Sequence, residues 1–315
     1  MKGETMGKKY IGIDVGGTYI KMGLVSGSGD VSMFREIPVD RSGGEHAMDT
    51  IMKGIAQLME EAGLEAKEIG GIGVSAAGCI NTAEGSVMEN GGNVPDWSFT
   101  KVAGPLEERF GIPATLANDG NCAALAESWK GAAAGCDDVI CIVLGTGVGG
   151  GIISGGHLIE GSHGYAGEIG HFPTHAGVKP KFRGDMGCHY ENYASTAALV
   201  RMAAEIDPEW KSGRRLFGAA SSGNREALDV IDRWLDEVAY GIMGFIHTFD
   251  PELVVIGGGV SVQKELLIDP LREKVMGLIY PDFLDGLEFK AAELGNDAGM
   301  IGAVRYFMLT KGREK

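Results

Sequence analysis

Between Val139 and Ile153 the chain reads V-I-C-I-V-L, then G-T-G-V-G-G-G, then I-I. Six consecutive apolar residues rich in β-branching suit a buried strand. Glycines at 145, 147, 149, 150 and 151 let the backbone take positive φ and come close to a ligand. Bare N–H groups in such a turn form a concave anion site, suited above all to phosphate. Gly145, Gly147 and Gly150 also fit the G-x-G-x-x-G pattern, with Glu168 lying 18 residues further on. A dinucleotide fold needs a helix straight after those glycines. Here Ile152 and Ile153 run into Ser154-Gly155-Gly156, another turn signal, so the segment is predicted strand–turn–strand and the dinucleotide reading is rejected. The Walker pattern is absent as well. A ligand-free hairpin is the plainer alternative, but five glycines in seven residues exceed what a hairpin needs.

The same unit stands near the start of the chain. Tyr10–Asp14 reads as a strand, Val15-Gly16-Gly17-Thr18 as a turn, and Tyr19–Val25 as a returning strand with Lys21 near the turn. Two such units about 130 residues apart predict an internal duplication with a phosphate loop in each half. Asp14, at a strand end, is placed to hold magnesium through water, since hard cations prefer carboxylate oxygen; alternatively it starts the turn.

Composition narrows the classes. A net charge of −15 argues against a nucleic-acid surface, which needs a basic patch. The 52 glycines are dispersed at turns and point to many tight connections. Five cysteines, odd in number and without a C-x-x-C, predict reduced thiols and a cytoplasmic setting. Residues 1–10 lack an apolar signal-peptide region, and no run reaches the ~18 apolar residues of a membrane span.

Further on, 49–62 carries a helical stripe, 69–75 a strand, and 101–110 a short helix. Asn93 sits in a loop where it binds either a ligand or its own backbone. A strand at 112–116 leads into Asn118-Asp119-Gly120-Asn121 and an alanine-rich helix from Ala123 to Lys130. Asp119 there is either an N-cap or a general base beside a substrate. Glu168 and His171, three residues apart among glycines, can reach one small polar ligand. Helices are predicted from Glu191 to about Ile206, from Arg225 to Phe249, from Val262 to Leu278 and from Gly295 to Met308. A strand at 253–256 meets a third glycine turn, Gly257-Gly258-Gly259.

Taken together, I-D-V-G-G-T at 13–18, N-D-G-N at 118–121, L-G-T-G-V-G-G-G at 144–151, A-G-E-I-G-H at 166–171, V-I-G-G-G-V at 255–260 and N-D-A-G-M-I-G-A at 296–303 resemble the ROK family of sugar kinases and related repressors. The resemblance implies an α/β, actin-like fold, an RNase H-like unit duplicated into two lobes with a central cleft. The lobes are expected at 1–117 plus about 298–315, and at 118–297. It implies ATP and Mg²⁺, with Asp14, Gly16, Gly17, Thr18, Lys21, Gly145, Thr146 and Gly147 around the phosphates and Gly258 and Gly259 beside the adenosine. Asn93, Asn118, Asp119, Glu168, His171 and Glu191 match sugar-binding positions, and Asp119 matches the catalytic base of a phosphoryl transfer. A homodimer and small-molecule partners, with neither nucleic acid nor membrane, complete the expectation.

One stretch departs from the family. Many members carry C-x-C-G-x-x-G-C-x-E after the histidine, a structural zinc site. This chain has K-F-R-G-D-M-G-C-H-Y-E, leaving Cys188 alone, with Glu191 three residues beyond it. A closed zinc site needs about four ligands. His171, His175, Cys188 and His189 offer an unorthodox set, so zinc is not expected.

The implied activity is an ATP-dependent hexose kinase, glucose-like by default. The runners-up are kinases for N-acetylmannosamine or N-acetylglucosamine, or for fructose, allose or a β-glucoside. A sugar-responsive repressor is disfavoured, because 13 residues before Asp14 are too few for a DNA-binding helix-turn-helix. A catalytically dead sensor is opposed by Asp119 and the intact glycine turns.

Overall fold

The computed structural model describes residues 7–42, 46–90, 92, 94–182 and 185–312. These form two compact units. One holds the described residues of Met1–Ala134, Glu160–Ala166 and Asn296–Lys315, and the other Gly135–Ile159 and Gly167–Gly295.

In the first unit, β1 (Lys9–Val15), β2 (Tyr19–Ser26) and β3 (Val31–Pro38) form an antiparallel meander. Helix α1 (Ala47–Ala62) follows. Its buried stripe Ile51, Ile55 and Leu58 covers the sheet, and Gly63 ends it in the left-handed conformation. Strand β4 (Ile69–Ala76) lies parallel beside β1. A small hairpin follows, β5 (Cys79–Asn81) and β6 (Ser86–Glu89). Helix α2 (Ala103–Phe110) leads to β7 (Ala114–Asn118), parallel to β4, and then to α3 (Asp119–Lys130). Sheet order is β3-β2-β1-β4-β7.

The second unit repeats the plan. Strands β8 (Val139–Leu144), β9 (Val148–Ser154) and the short β10 (His157–Leu158) are antiparallel. Helices α4 (Glu191–Ala194), α5 (Thr196–Ile206), α6 (Gly213–Ser221) and α7 (Arg225–Phe249) precede β11 (Leu253–Gly257). Helix α8 (Lys264–Met276) and β12 (Glu288–Ala291) complete the unit, with β11 parallel to both β8 and β12. The order β10-β9-β8-β11-β12 matches that of the first sheet strand for strand. Each half therefore carries the same three antiparallel and two parallel strands, as the duplicated glycine units led us to expect. Helix α9 (Ala298–Thr310) then returns the chain to the first unit.

Two details depart from the sequence reading. Helix α3 groups with the first unit, whereas the lobe boundary was expected at 118. The helix expected over 191–206 is broken at Ser195, whose hydroxyl caps α5 by accepting the Ala198 N–H. Among the described residues, no helix is long and apolar enough to cross a membrane.

Candidate functional site

In the first unit the chemistry gathers where β1, β4 and β7 end. Asp14 is the penultimate residue of β1, level with Lys21 on β2 and Ser75 on β4. Ser75 Oγ donates to Asp14 Oδ1 at 2.9 Å. A Cβ on Gly299, in the first turn of α9, would stand 2.4 Å from the Asp14 carboxyl carbon, so only glycine leaves that carboxylate its place. Burial pushes the Asp14 carboxyl up, and the Ser75 hydrogen bond and the Lys21 charge oppose that shift. Lys21 Nζ in turn donates to Asn296 Oδ1 at 3.1 Å. Asp14, Gly16, Gly17, Thr18, Lys21 and Asn296 line one hollow of ≈ 390 Å³. Arg41 fastens its turn by donating to the Gly17 carbonyl at 2.6 Å. Ser75, Asn296 and Arg41 were missed by the sequence reading. Asn296 lines the hollow, and Ser75 and Arg41 hold residues that line it, through pairings 61 and 24 positions apart.

Asp119 is the first residue of α3, and the cap is Asn118. The Asn118 Oδ1 accepts the Asn121 N–H at 3.1 Å and its Nδ2 donates to the Gly78 carbonyl at 3.2 Å. Both ends of that carboxamide thus hold backbone, and capping leaves the neighbouring carboxylate available. Asp119 is exposed to solvent. Its carboxyl is nonetheless raised to about 6, first by desolvation against the surrounding protein and second by the charge of Asp14. The N–H of Gly120 donates to its Oδ1 at 2.9 Å and pulls the other way. An accessible carboxylate titrating just below neutrality suits a general base. Asn93 lies outside the described residues, while buried Asn90 holds its loop by donating to the Val94 carbonyl at 2.8 Å.

In the second unit the β8–β9 turn is tight. The Gly145 N–H donates to the Gly147 carbonyl at 3.0 Å, with Thr146 exposed at the tip. A strand follows, as expected, and no helix. Glu191, which opens α4, accepts the Val148 N–H on Oε2 at 3.4 Å. Its other oxygen lies 3.9 Å from His171 Nδ1, and His171 Nε2 lies 3.7 Å from Glu168 Oε2. Glu168, His171 and Glu191 are therefore brought together, a convergent polar set able to address several hydroxyls of one ligand. On the third glycine turn, Gly259 lines a hollow of ≈ 500 Å³ with Thr196, Arg214, Phe217, Gly218 and Gln263 among its walls. Gly258 has φ 93 and instead packs under the end of β8. Thr196 Oγ1 donates to the Leu144 carbonyl at 2.9 Å and so ties α5 to the glycine turn. Helix α6, which supplies much of this wall, was missed. Its available signals were the Ser212 cap and the single apolar face of Leu216, Phe217 and Ala220.

The residues at the position of the family's zinc do not fit that ion. His175 lies flat on Tyr193, with Nδ1 3.0 Å from Thr174 Oγ1 and Nε2 3.5 Å from Glu237 Oε2. Its two nitrogens are thus both occupied. His171 and His189 meet each other through Nδ1 at 3.3 Å. Among the described residues, no three His, Cys, Asp or Glu side chains are grouped to hold a metal ion.

Comparison with known proteins places this geometry. The profile of the ROK family matches residues 10–309. A glucokinase from Thermotoga maritima is 35% identical over 311 residues, covering 94% of this chain and 96% of that protein. A beta-glucoside kinase from Listeria monocytogenes is 29% identical and covers 98% of this chain and 100% of that one. Among solved structures, a ROK family glucokinase from Streptomyces griseus in complex with glucose and AMPPNP is 32% identical. It covers 94% of this chain and 97% of its own, with a TM-score of 0.77. With the family profile spanning nearly its whole length and both sheets built to one duplicated plan, this chain belongs to the ROK family.

Proposed function

We propose that this protein is an ATP-dependent hexose kinase, with glucose as its first candidate substrate. The observation that carries the proposal is the glucokinase likeness, 35% identity over 94% of the chain. The site chemistry agrees with it at the level of single residues. In the first unit, Asp119 takes the proton of the attacking sugar hydroxyl, its carboxyl raised to about 6 and still mostly ionised at neutral pH. The N–H groups of Gly17 and Thr18, together with Lys21, receive phosphate oxygens; in the second unit those of Thr146 and Gly147 do the same, while the Gly16 and Gly145 N–H groups close their own turns. The hollow walled by Gly259 and α6 receives the adenosine. In the second unit Glu168, His171 and Glu191 hold sugar hydroxyls; in the first, the family resemblance assigns that role to Asn118 and Asn93. A site built for hydroxyls rejects sugars that leave its groups unpaired. Asp14 fits magnesium by its hard carboxylate oxygens, and the ion would neutralise charge on the transferred phosphate. A homodimer is proposed from the family resemblance. A cytosolic setting belongs to the same reading, supported by five cysteines, odd in number and without a C-x-x-C.

The deciding experiment couples ADP formation to NADH oxidation across glucose, mannose, fructose, allose, N-acetylmannosamine, N-acetylglucosamine and a β-glucoside such as cellobiose. Glucose is expected to give the highest kcat/KM. The beta-glucoside kinase relative makes cellobiose the second sugar to watch. No ADP with any sugar would refute the kinase proposal.

A further inference from the structure

The loop between His171 and Glu191 joins two of the groups assigned to the sugar, so its rigidity bears on how well they are placed. Its two arms are zipped together. The N–H groups of Thr174 and His175 both donate to the Cys188 carbonyl, at 3.1 and 3.3 Å, and Pro173 bridges to His189. The Tyr190 N–H donates to the Phe172 carbonyl at 2.8 Å, and the fully buried Tyr190 hydroxyl donates to the Val238 carbonyl on α7 at 2.7 Å. At the tip, Asp185 accepts from the Lys181 and Gly187 N–H groups at 2.8 and 3.0 Å.

His175 stands at the middle of this arrangement. Its ring is stacked on Tyr193 at 3.4 Å between centroids and 10° between planes. Tyr193 is two residues beyond Glu191 on α4, and its hydroxyl donates to the Gly187 carbonyl at 2.9 Å on the returning arm. The Glu237 contact fixes the outer edge of the same ring to α7. One imidazole thus joins the outgoing arm, the helix that carries Glu191, and the long core helix. Relatives that hold this loop with zinc need cysteines that this chain lacks, and its imidazole nitrogens are turned to protein partners instead.

We propose that the described part of this loop, 172–182 and 185–190, is braced by protein contacts centred on His175 in place of a metal, which makes His175 a positioning residue for His171 and Glu191. The inference rests on the sugar-kinase reading for its kinetic consequence, though the brace itself does not.

The test compares His175→Ala, His175→Phe and Glu237→Ala with the wild-type protein. His175→Ala is expected to raise the sugar KM about tenfold or more, with kcat and the ATP KM within about twofold, because misplaced ligands weaken sugar binding before they alter the reacting groups. His175→Phe keeps a flat ring on Tyr193 and is expected to restore most of the loss. Glu237→Ala leaves the core untouched and is expected to move the sugar KM in the same direction. Zinc measured by mass spectrometry is expected to be far below one per chain, and 1,10-phenanthroline is expected to leave the sugar KM unchanged. Trypsin cleavage after Lys181 is expected to quicken in His175→Ala whatever the substrate proves to be. One zinc per chain, or a sugar KM unmoved in both His175→Ala and Glu237→Ala, overturns the proposal. A wild-type protein that phosphorylates no sugar sinks the kinase reading instead, and the zinc content and trypsin rates then decide the brace alone.

Discussion

The Glu191 carboxylate accepts the Val148 N–H at 3.4 Å while its second oxygen lies 3.9 Å from His171. One side chain therefore touches both the foot of the second glycine turn and a residue assigned to the sugar. Glu191→Gln keeps an acceptor but loses the charge that faces His171. The sugar KM is expected to rise roughly 10- to 150-fold, the range set by losing a charged hydrogen bond of about 1.5–3 kcal/mol. An unchanged sugar KM would remove Glu191 from the sugar site.

The same contact makes Gly147 a sensitive position. A Cβ there would stand 2.5 Å from Glu191 Oε2. Gly147→Ala must displace the carboxylate, so its cost is expected to be shared with that of Glu191. In the double variant Gly147→Ala with Glu191→Gln, the losses in kcat/KM should fall well short of additive, as for residues in direct contact. Simple multiplication of the two effects would show that the glycine acts elsewhere.

Asp119 gives a pH signature. With its carboxyl raised to about 6, the base form is lost as pH falls through that value. The kcat/KM is expected to fall about tenfold per pH unit below about 6, and Asp119→Asn is expected to lower kcat by roughly 10²- to 10⁴-fold. Stability moves oppositely. A carboxylate raised from 3.8 costs the folded state stability that is fully felt above about 6 and absent below about 3.8. Asp119 is exposed, which limits the cost to about 1 kcal/mol or less after solvent screening. Asp119→Asn should therefore melt slightly higher than wild type at pH 7.5 and alike at pH 3.5. A variant that is inactive and also less stable at pH 7.5 would mean the carboxylate supports the fold.

Gly299 tests the Asp14 position without touching the carboxylate. A methyl at 299 would stand 2.4 Å from the Asp14 carboxyl carbon and 2.5 Å from its Oδ1. Gly299→Ala must push Asp14 off Ser75 or shift the start of α9, at a cost of about 1–3 kcal/mol. Turnover is expected to drop at least about tenfold, and the magnesium concentration giving half-maximal rate is expected to rise. If both stay at wild-type values, Asp14 has no part in holding the ion.

What the sequence disclosed follows a physical pattern. The β8 strand and its glycine turn were legible because six apolar residues and five glycines leave few alternatives. Helix α7 was legible over its whole length because Ile231, Trp234, Leu235, Val238 and Ile242 recur on one face and are all buried. The edge strands β3 and β12 were not, since one is exposed along most of its length and the other is four residues long. An edge strand packs too little apolar surface to write an alternating signature. The identity of the α3 cap was open from sequence, because Asn118 and Asp119 are equally good N-cap types. The link between Glu191 and Val148 spans 43 positions and follows only from the folded path of the loop.

The hollow on the third glycine turn offers a steric test of where the adenosine lies. Gly218 lines it from α6, and a Cβ at that position would meet nothing within 4 Å. The fold therefore has room for a side chain there, and a helix interior gains roughly 0.5–1 kcal/mol when glycine is replaced by a good helix former. Gly218→Leu should leave the melting temperature unchanged or slightly higher while its isobutyl group occupies the hollow. The ATP KM is expected to rise about tenfold or more, with the sugar KM within about twofold. An isothermal titration with AMPPNP would read the same loss directly as weaker binding. If AMPPNP binds the variant as it binds wild type, the adenosine lies elsewhere and the role of Gly259 falls with it.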